Sequence, residues 1–378
     1  MVTRRFWLDR LQTAWRKRSV IWLMGVRRSG KTFLCKSIPD SEYFDCELPS
    51  VRRMLTDPES FLREQSASTI VLDEIHRLDN PSELLKIAAD HYPDLRVIAT
   101  GSSSLGATKK FRDTLTGRKA EVLLTPMNTA DLRDFGSTDL SRRLRHGGLP
   151  PFFLSEQFEE GDYQEWVDSY WAKDIQELFR LERRASFARF IELLFLQSGG
   201  IFEASSLAGP CEVSRPTIQN YLAVLEATFV VHVVRPFHTN RAVEIVSAPK
   251  VFGFDTGFVC AFRGWNTLRA DDLGTLWGHY VINELRSRFP RKQVHYWRDK
   301  QKHDVDFVLK QKGKAVDTVE CKWSFDTINS SSLRVFRRHY PEGRNFLVCQ
   351  EVSRPFTQRA GELEIRVIPL AEMEAVLA

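Results

Sequence analysis

The chain has 378 residues, 43% hydrophobic and 27% charged, with a formal net charge of +5. That length predicts two to three domains at ~100–200 residues each. The balance excludes a disordered scaffold, a collagen-like fibre and a disulfide-stapled miniprotein. Six cysteines (Cys35, Cys46, Cys211, Cys260, Cys321 and Cys349) lie far apart with no C-x-x-C pair. This argues against a structural zinc site and predicts free thiols in a reducing cytoplasm. No uncharged stretch approaches the ~20 residues a bilayer requires, so no membrane part is expected. Ten Lys/Arg against the single acid Asp9 fill residues 1–36. Such a block either serves anionic ligands or forms a solvated helix face.

In chain order, Arg4–Arg16 reads as an amphipathic helix carrying Phe6, Leu8, Leu11 and Trp15. Val20–Met24 is an apolar, strand-like run that ends at Gly25. A helix should follow from Gly30–Lys31 to Ser37. Glu42–Cys46 and Thr69–Leu72 are further strand candidates, Pro81–His91 is helical, and Leu95–Thr100 is a fourth strand. Short buried strands alternating with helices predict a doubly wound α/β domain with a parallel sheet.

After the break His146-Gly147-Gly148-Leu149-Pro150-Pro151 the chain turns helical. Phe187, Phe190, Ile191, Leu194 and Phe195 have the spacing of a core-facing helix. Ser205–Ala208, a turn and a helix from Arg215-Pro216, N-capped by Ser214, make a helix-turn-helix pattern. Phe229–Val234 is expected to follow as a wing strand. The last third predicts a helix over Leu276–Phe289 and strands at His295–Trp297, Asp304–Leu309, Ala315–Lys322 and Asn345–Cys349, with a helix near Ser332–His339. The expected domains are therefore 1–150, 151–245 and 246–378.

Gly25-Val26-Arg27-Arg28-Ser29-Gly30-Lys31-Thr32 fits G-x-x-x-x-G-K-[ST] without deviation and lies between an apolar strand and a helix. Glycines let backbone N–H groups turn inward around phosphates, where side chains would intrude. Lys31 is the residue to reach the β- and γ-phosphates, and the Thr32 hydroxyl suits Mg²⁺. Arg28 and Ser29 complete the cradle. Ile70-Val71-Leu72-Asp73-Glu74 is an apolar strand ending in two acids. Asp73 suits Mg²⁺, and Glu74 suits general-base activation of water. Thr100, Ser102 and Ser103 place hydroxyls at the end of another strand, either as γ-phosphate contacts or as a turn. ATP and Mg²⁺ are the expected ligands.

On a strand, Glu320 and Lys322 share one face. A hairpin near Gly313 brings Asp306 alongside Glu320. Two carboxylates and a lysine suit metal-assisted phosphodiester hydrolysis, although alternating charge also describes a solvated strand face.

These motifs resemble the prokaryotic AAA-type ATPases that carry a C-terminal restriction-endonuclease-like region. The resemblance rests on the Gly25–Thr32 loop, Leu72-Asp73-Glu74-Ile75-His76, Thr100-Gly101-Ser102-Ser103-Ser104 and Leu115-Thr116-Gly117-Arg118. Later matches are Tyr221-Leu222-x-x-Leu225-Glu226, Phe254-Asp255-Thr256-Gly257, and Val305-Asp306-Phe307 with Glu320-x-Lys322. It implies an ATPase domain, a helical winged-helix middle and an α/β nuclease-like end. It also implies DNA as the macromolecular partner, a homo-oligomer, and Arg118 either as an arginine finger or as a surface charge. Such folds use a further acid on the preceding helix. Relatives show a Glu-Asn pair where this chain has Gly278-His279, which leaves Glu284 as a substitute or an ordinary charge. The helix-turn-helix offers only Arg215 as a cation, with Gln219 and Asn220 nearby, so DNA contact and simple packing both remain open for it.

Overall fold

Five short strands, all parallel, form the first sheet in the order β2-β3-β4-β1-β5. They are β1 (Val20–Met24), β2 (Ser41–Asp45), β3 (Thr69–Asp73), β4 (Arg96–Thr100) and β5 (Lys119–Leu123). The computed structural model describes residues 2–101, 114–179, 181, 183–239, 247–290, 292–311, 313, 315–325 and 330–377. Alternation along the strands builds two cores. Val20, Trp22, Ile70 and Leu72 pack with Leu84 and Leu85 of the helix Pro81–His91 on one face. Ile21, Leu23, Val71 and Ile98 pack with Trp7 and Leu11 of the helix Arg5–Trp15 on the other. Because both faces are covered, β1, β3 and β4 read as unbroken apolar runs, and the expected doubly wound domain is what forms.

The order of the strands decides the site. β4 lies between β1 and β3, so the loop after β1 and the acids after β3 flank the hydroxyl of Thr100. The strand β5, which the sequence pattern does not announce, pairs only with β1 at the sheet's edge.

Helices then predominate through residue 288. They include Leu140–His146, Pro150–Leu154, Glu160–Tyr170, Arg184–Leu196, Arg215–Ala227, Thr256–Arg263 and Ala270–Arg288. A π-helical turn, Trp171–Ile175, continues directly from Tyr170. Phe152, Tyr163, Trp166, Phe254 and Phe258 make an aromatic cluster in this region. Ser214 caps its helix by accepting from the Thr217 N–H at 3.3 Å, as expected.

The expected wing strand pairs antiparallel with its successor and joins a larger sheet. It is β6 (Val231–Pro236), which pairs with β7 (Lys250–Gly253) and with β8 (Val294–Arg298) in a second, eight-stranded sheet. The other members are β9 (Asp304–Lys310), β10 (Val316–Lys322), β11 (Asn345–Cys349), β12 (Phe356–Ala360) and β13 (Leu363–Ile368). A division at residue 245 therefore falls between two paired strands. One apolar cluster runs from Phe152 and Trp166 through Val231 and Phe258 to Val319 and Phe346, so the last two regions share a core. Among the described residues no helix is long and apolar enough to cross a membrane.

Candidate functional site

The loop after β1 turns through two glycines in backbone conformations closed to other residues. Gly25 has φ 154°, and a Cβ there would sit 2.5 Å from the Leu124 carbonyl oxygen. Gly30 has φ 93° and precedes the helix Lys31–Lys36. Lys31 Nζ donates to the loop's own carbonyls, Gly25 O at 2.9 Å and Val26 O at 3.1 Å. Burial pushes the Lys31 ammonium down, and the charges of Glu74, Asp174 and Asp73 oppose that. Ser29 is fully buried, and its Oγ has no hydrogen-bond partner among the described residues.

At the tip of β3, Asp73 is 3% exposed and collects hydroxyls. Its Oδ2 accepts from Thr32 Oγ1 at 2.7 Å and from the Tyr43 hydroxyl at 2.5 Å, and its Oδ1 accepts from Thr100 Oγ1. Burial and the Asp73 carboxylate together push the Tyr43 phenol up. Tyr43 comes from β2 and has no motif, so sequence reading missed it. Thr100 also accepts from the Glu74 N–H at 3.1 Å. That bond holds Glu74 in the left-handed region at φ 54°, a strained setting for a side chain with a Cβ. Burial pushes the Glu74 carboxyl up. The hydrogen bond from His76 and the Lys31 charge outweigh it and hold the group below the usual carboxylate range. Glu74 Oε2 lies 3.1 Å from His76 Nδ1. Of the three candidate hydroxyls, Thr100 is thus the one seen in the site. Ser102 and Ser103 lie outside the described residues.

Thr32 and Asp73 present hard oxygen donors side by side, the chemistry that Mg²⁺ prefers. Beside them are a loop whose Gly25 has no room for a Cβ and the orphaned Ser29 hydroxyl. This donor set fits a metal-bound nucleotide.

The loop opens on a cavity of about 840 Å³, lined by Lys31, Thr32 and Glu74 together with Pro150, Lys173 and Asp174 from the helical region. Two buried links brace it, and neither is visible in a local motif. Arg4, 1% exposed, donates bidentately to Asp131 at 2.8 and 2.9 Å and to Ser29 O at 2.9 Å. Asp255 accepts from the Gly148 and Gly257 N–H groups at 2.5 and 2.9 Å, which fixes the segment leading into Pro150. Gly147 has φ 82°, and a Cβ there would lie 1.9 Å from Asp255 Oδ1. The N-terminal basic block is thus not one solvated face: Arg4 and Arg10 are engaged, Arg10 with Glu374 at 2.8 Å, while Arg16, Lys17 and Arg18 are exposed.

Arg118 is not among the described residues lining the cavity. Its Nε donates to Asp90 Oδ1 at 2.7 Å on the surface.

In the second sheet, β9 and β10 pair antiparallel with Val319 opposite Phe307, which carries Glu320 to Asp306 as the hairpin predicts. Burial, then the Asp306 charge and a hydrogen bond with Asp306, push the Glu320 carboxyl well up, and Lys322 opposes them. Asp306 Oδ2 also accepts from the Cys321 N–H at 2.9 Å. Glu284 does not join them. It is fully buried, accepts from Thr129 N and Oγ1 at 2.5 Å each, and pairs with Arg288 at 2.8 Å. Its role in the structure is to join the helix Ala270–Arg288 to the N-terminal domain. Among the described residues no three His, Cys, Asp or Glu side chains are grouped to hold a metal ion.

In keeping with the parallel sheet, the loop and the acids at the tip of β3, residues 17–132 match the family described as "AAA domain". Residues 137–269 and 273–373 match two families, each described as a domain of unknown function, DUF8612 and DUF4143. The chain is similar to the "Uncharacterized protein Rv2008c" of Mycobacterium tuberculosis, at 28% identity over 83% of this chain and 73% of the relative. It is also similar to the "Uncharacterized protein MJ1544" of Methanocaldococcus jannaschii, at 21% identity over 76% and 71%. Among solved structures, a signal transduction ATPase with a tetratricopeptide repeat sensor from Pyrococcus horikoshii aligns at 12% identity and a TM-score of 0.28. That alignment covers 75% of this chain and 45% of the other, so the present chain spans less than half of that protein's length.

Proposed function

We propose that the chain binds ATP with Mg²⁺ at the Gly25–Thr32 loop and hydrolyses it. The observation that carries this reading is the convergence on Asp73, whose carboxylate gathers Thr32 from the loop and Thr100 from the neighbouring strand. Thr32 and Asp73 would hold the metal, which when bound neutralises phosphate charge. Lys31 leaves the carbonyls of Gly25 and Val26 to meet the β- and γ-phosphates. Arg28 and Ser29 shape the cradle beside it. Glu74, ionised at neutral pH, takes the proton of the attacking water, and His76 keeps its carboxylate aimed. Arg118, paired with Asp90 outside its own cavity, is left to serve the site of a second copy in a homo-oligomer. Steady-state ATP hydrolysis with Mg²⁺ tests the reading. Wild type should turn over and Asp73→Asn should not, whereas equal rates, or no turnover by folded wild type, would refute it.

A second reading is a nucleotide-switched module that docks DNA or protein and whose nuclease-like end does not cut. It is favoured by Gly278, which lines one cavity with Asp306 and where a Cβ would meet nothing within 4 Å. His279 beside it is turned to Ser198 Oγ at 2.7 Å. With Mg²⁺ or Mn²⁺ and ATP, plasmid should survive wild type and Asp306→Ala alike. Cutting that needs Asp306 would replace this reading with an ATP-regulated nuclease using Asp306, Glu320 and Lys322. Retention on DNA that falls steeply with salt would identify DNA as the partner.

A further inference from the structure

One wall of the cavity comes from outside residues 17–132. It includes Lys173 and Asp174 of the π-turn Trp171–Ile175, which continues the helix Glu160–Tyr170. Three contacts tie this wall to the loop. Trp166 Nε1 donates to Arg27 O at 3.1 Å, Arg28 Nη2 lies 3.1 Å from Glu165 Oε1, and Arg27 Nε lies 3.7 Å from Asp174 Oδ2. Arg27 and Arg28 occupy x positions of the loop motif, and Trp166 meets the Arg27 backbone. A π-turn widens the helix by one residue and re-aims its side chains, and such turns concentrate at functional sites. Here it places two neighbours of opposite charge, Lys173 and Asp174, on the cavity wall. The Asp174 carboxylate is 15% exposed, and its charge is felt at Lys31 as well as at Arg27.

We infer that Asp174 is a positioning residue of the nucleotide site: it faces the loop's Arg27 and competes with the terminal phosphate of a nucleoside triphosphate for the loop's cations, with Lys173 supplying a cation to that phosphate. The inference rests on the ATP reading above and adds the element that distinguishes triphosphate from diphosphate. A carboxylate facing the same cations as the phosphates competes with them, and the competition grows with phosphate charge. Asp174 therefore costs a triphosphate more affinity than a diphosphate, and Lys173 does the reverse. Adjacent residues with opposite effects on one ratio are a signature that general damage to the fold does not produce.

The test is calorimetric titration of the full chain with a non-hydrolysable ATP analogue and with ADP, both with Mg²⁺, at low and high salt. Asp174→Asn should raise the ATP:ADP affinity ratio by roughly three- to tenfold at low salt, and the gain should shrink as salt screens it. Asp174→Glu should keep the wild-type ratio. Lys173→Met, at an exposed position, should lower the ratio and keeps the test available if Asp174→Asn does not fold. An unchanged or lowered ratio in folded Asp174→Asn, or an unchanged ratio in Lys173→Met, would overturn the inference while leaving nucleotide binding intact. Absence of uptake by wild type would remove the ATP reading and this inference with it.

Discussion

The chain carries two acidic pairs on buried sheets, and they are held in opposite ways. Asp73 and Glu74 stand at the end of a parallel strand, where hydroxyls from Thr32, Tyr43 and Thr100 and the imidazole of His76 face them. Asp306 and Glu320 lie side by side on an antiparallel hairpin, where burial and the Asp306 charge push Glu320 towards its neutral form. The first arrangement surrounds its acids with hydrogen-bond donors. The second disfavours the charged form of Glu320 through burial and the neighbouring acid. Two acids in sequence therefore say little until the donors around them are known.

The largest effect that sharpens this contrast is expected at Glu74. Glu74→Gln should retain nucleotide and lose ~10²–10⁴-fold in turnover, as read by single-turnover hydrolysis. Asp306→Ala should leave that rate untouched. Because the Glu74 carboxyl is held below its ordinary value, wild-type turnover should stay level through neutral pH and fall only in the acid carboxylate range.

The next effect concerns the brace beneath the first pair. Arg4→Met leaves Asp131 buried and uncompensated, with an expected cost of ~3–5 kcal/mol in urea unfolding. The double variant Arg4→Met/Asp131→Leu should recover much of it.

Stability should also fall as pH drops from about 6.5. Burial pushes His232 down to about 3 and His279 to about 4, so the unfolded chain takes up protons at these sites before the fold does. Their stabilising contribution is complete above about 6.5 and is lost as pH falls towards those lower values. His279→Gln should flatten that slope in a series of urea midpoints. Glu320 has the reverse sign. Its raised value means that the fold binds the proton more tightly than the unfolded chain, so stability falls as pH rises past the ordinary glutamate value. Glu320→Gln should therefore raise the urea midpoint at neutral pH and lose that gain in acid. The smallest effect is expected at Arg118, where Arg118→Ala should leave the thermal midpoint and the nucleotide uptake of the isolated chain unmoved.

The first pair was legible in the sequence because its grammar is local. The loop, the strand before it and the acids after β3 are short contiguous runs, and β1, the helix Pro81–His91 and β11 form over the residues their patterns mark. What the sequence hid depends on distance along the chain. Arg4 meets Asp131, 127 residues away, and Gly148 meets Asp255, 107 away. No periodicity encodes such a pairing. Nor does it encode which sheet a strand joins: beyond its antiparallel pairing with β7, Val231–Pro236 also meets β8 through Arg235 and Pro236. The edge strands β5, mostly half-buried, and β12, mostly exposed, lack the apolar runs that identify a strand. The helix Ala270–Arg288 was legible, but not the direction of Glu284, which its contact with Thr129 decides.

The most direct measurement is calorimetric titration of Mg²⁺-ATP into the full chain and into Lys31→Ala, with both shown to be folded by circular dichroism. Saturable heat for wild type and none for the variant is the expected result. Equal uptake by the two proteins, or none by either, would contradict the assignment of the Lys31 loop as the seat of the triphosphate.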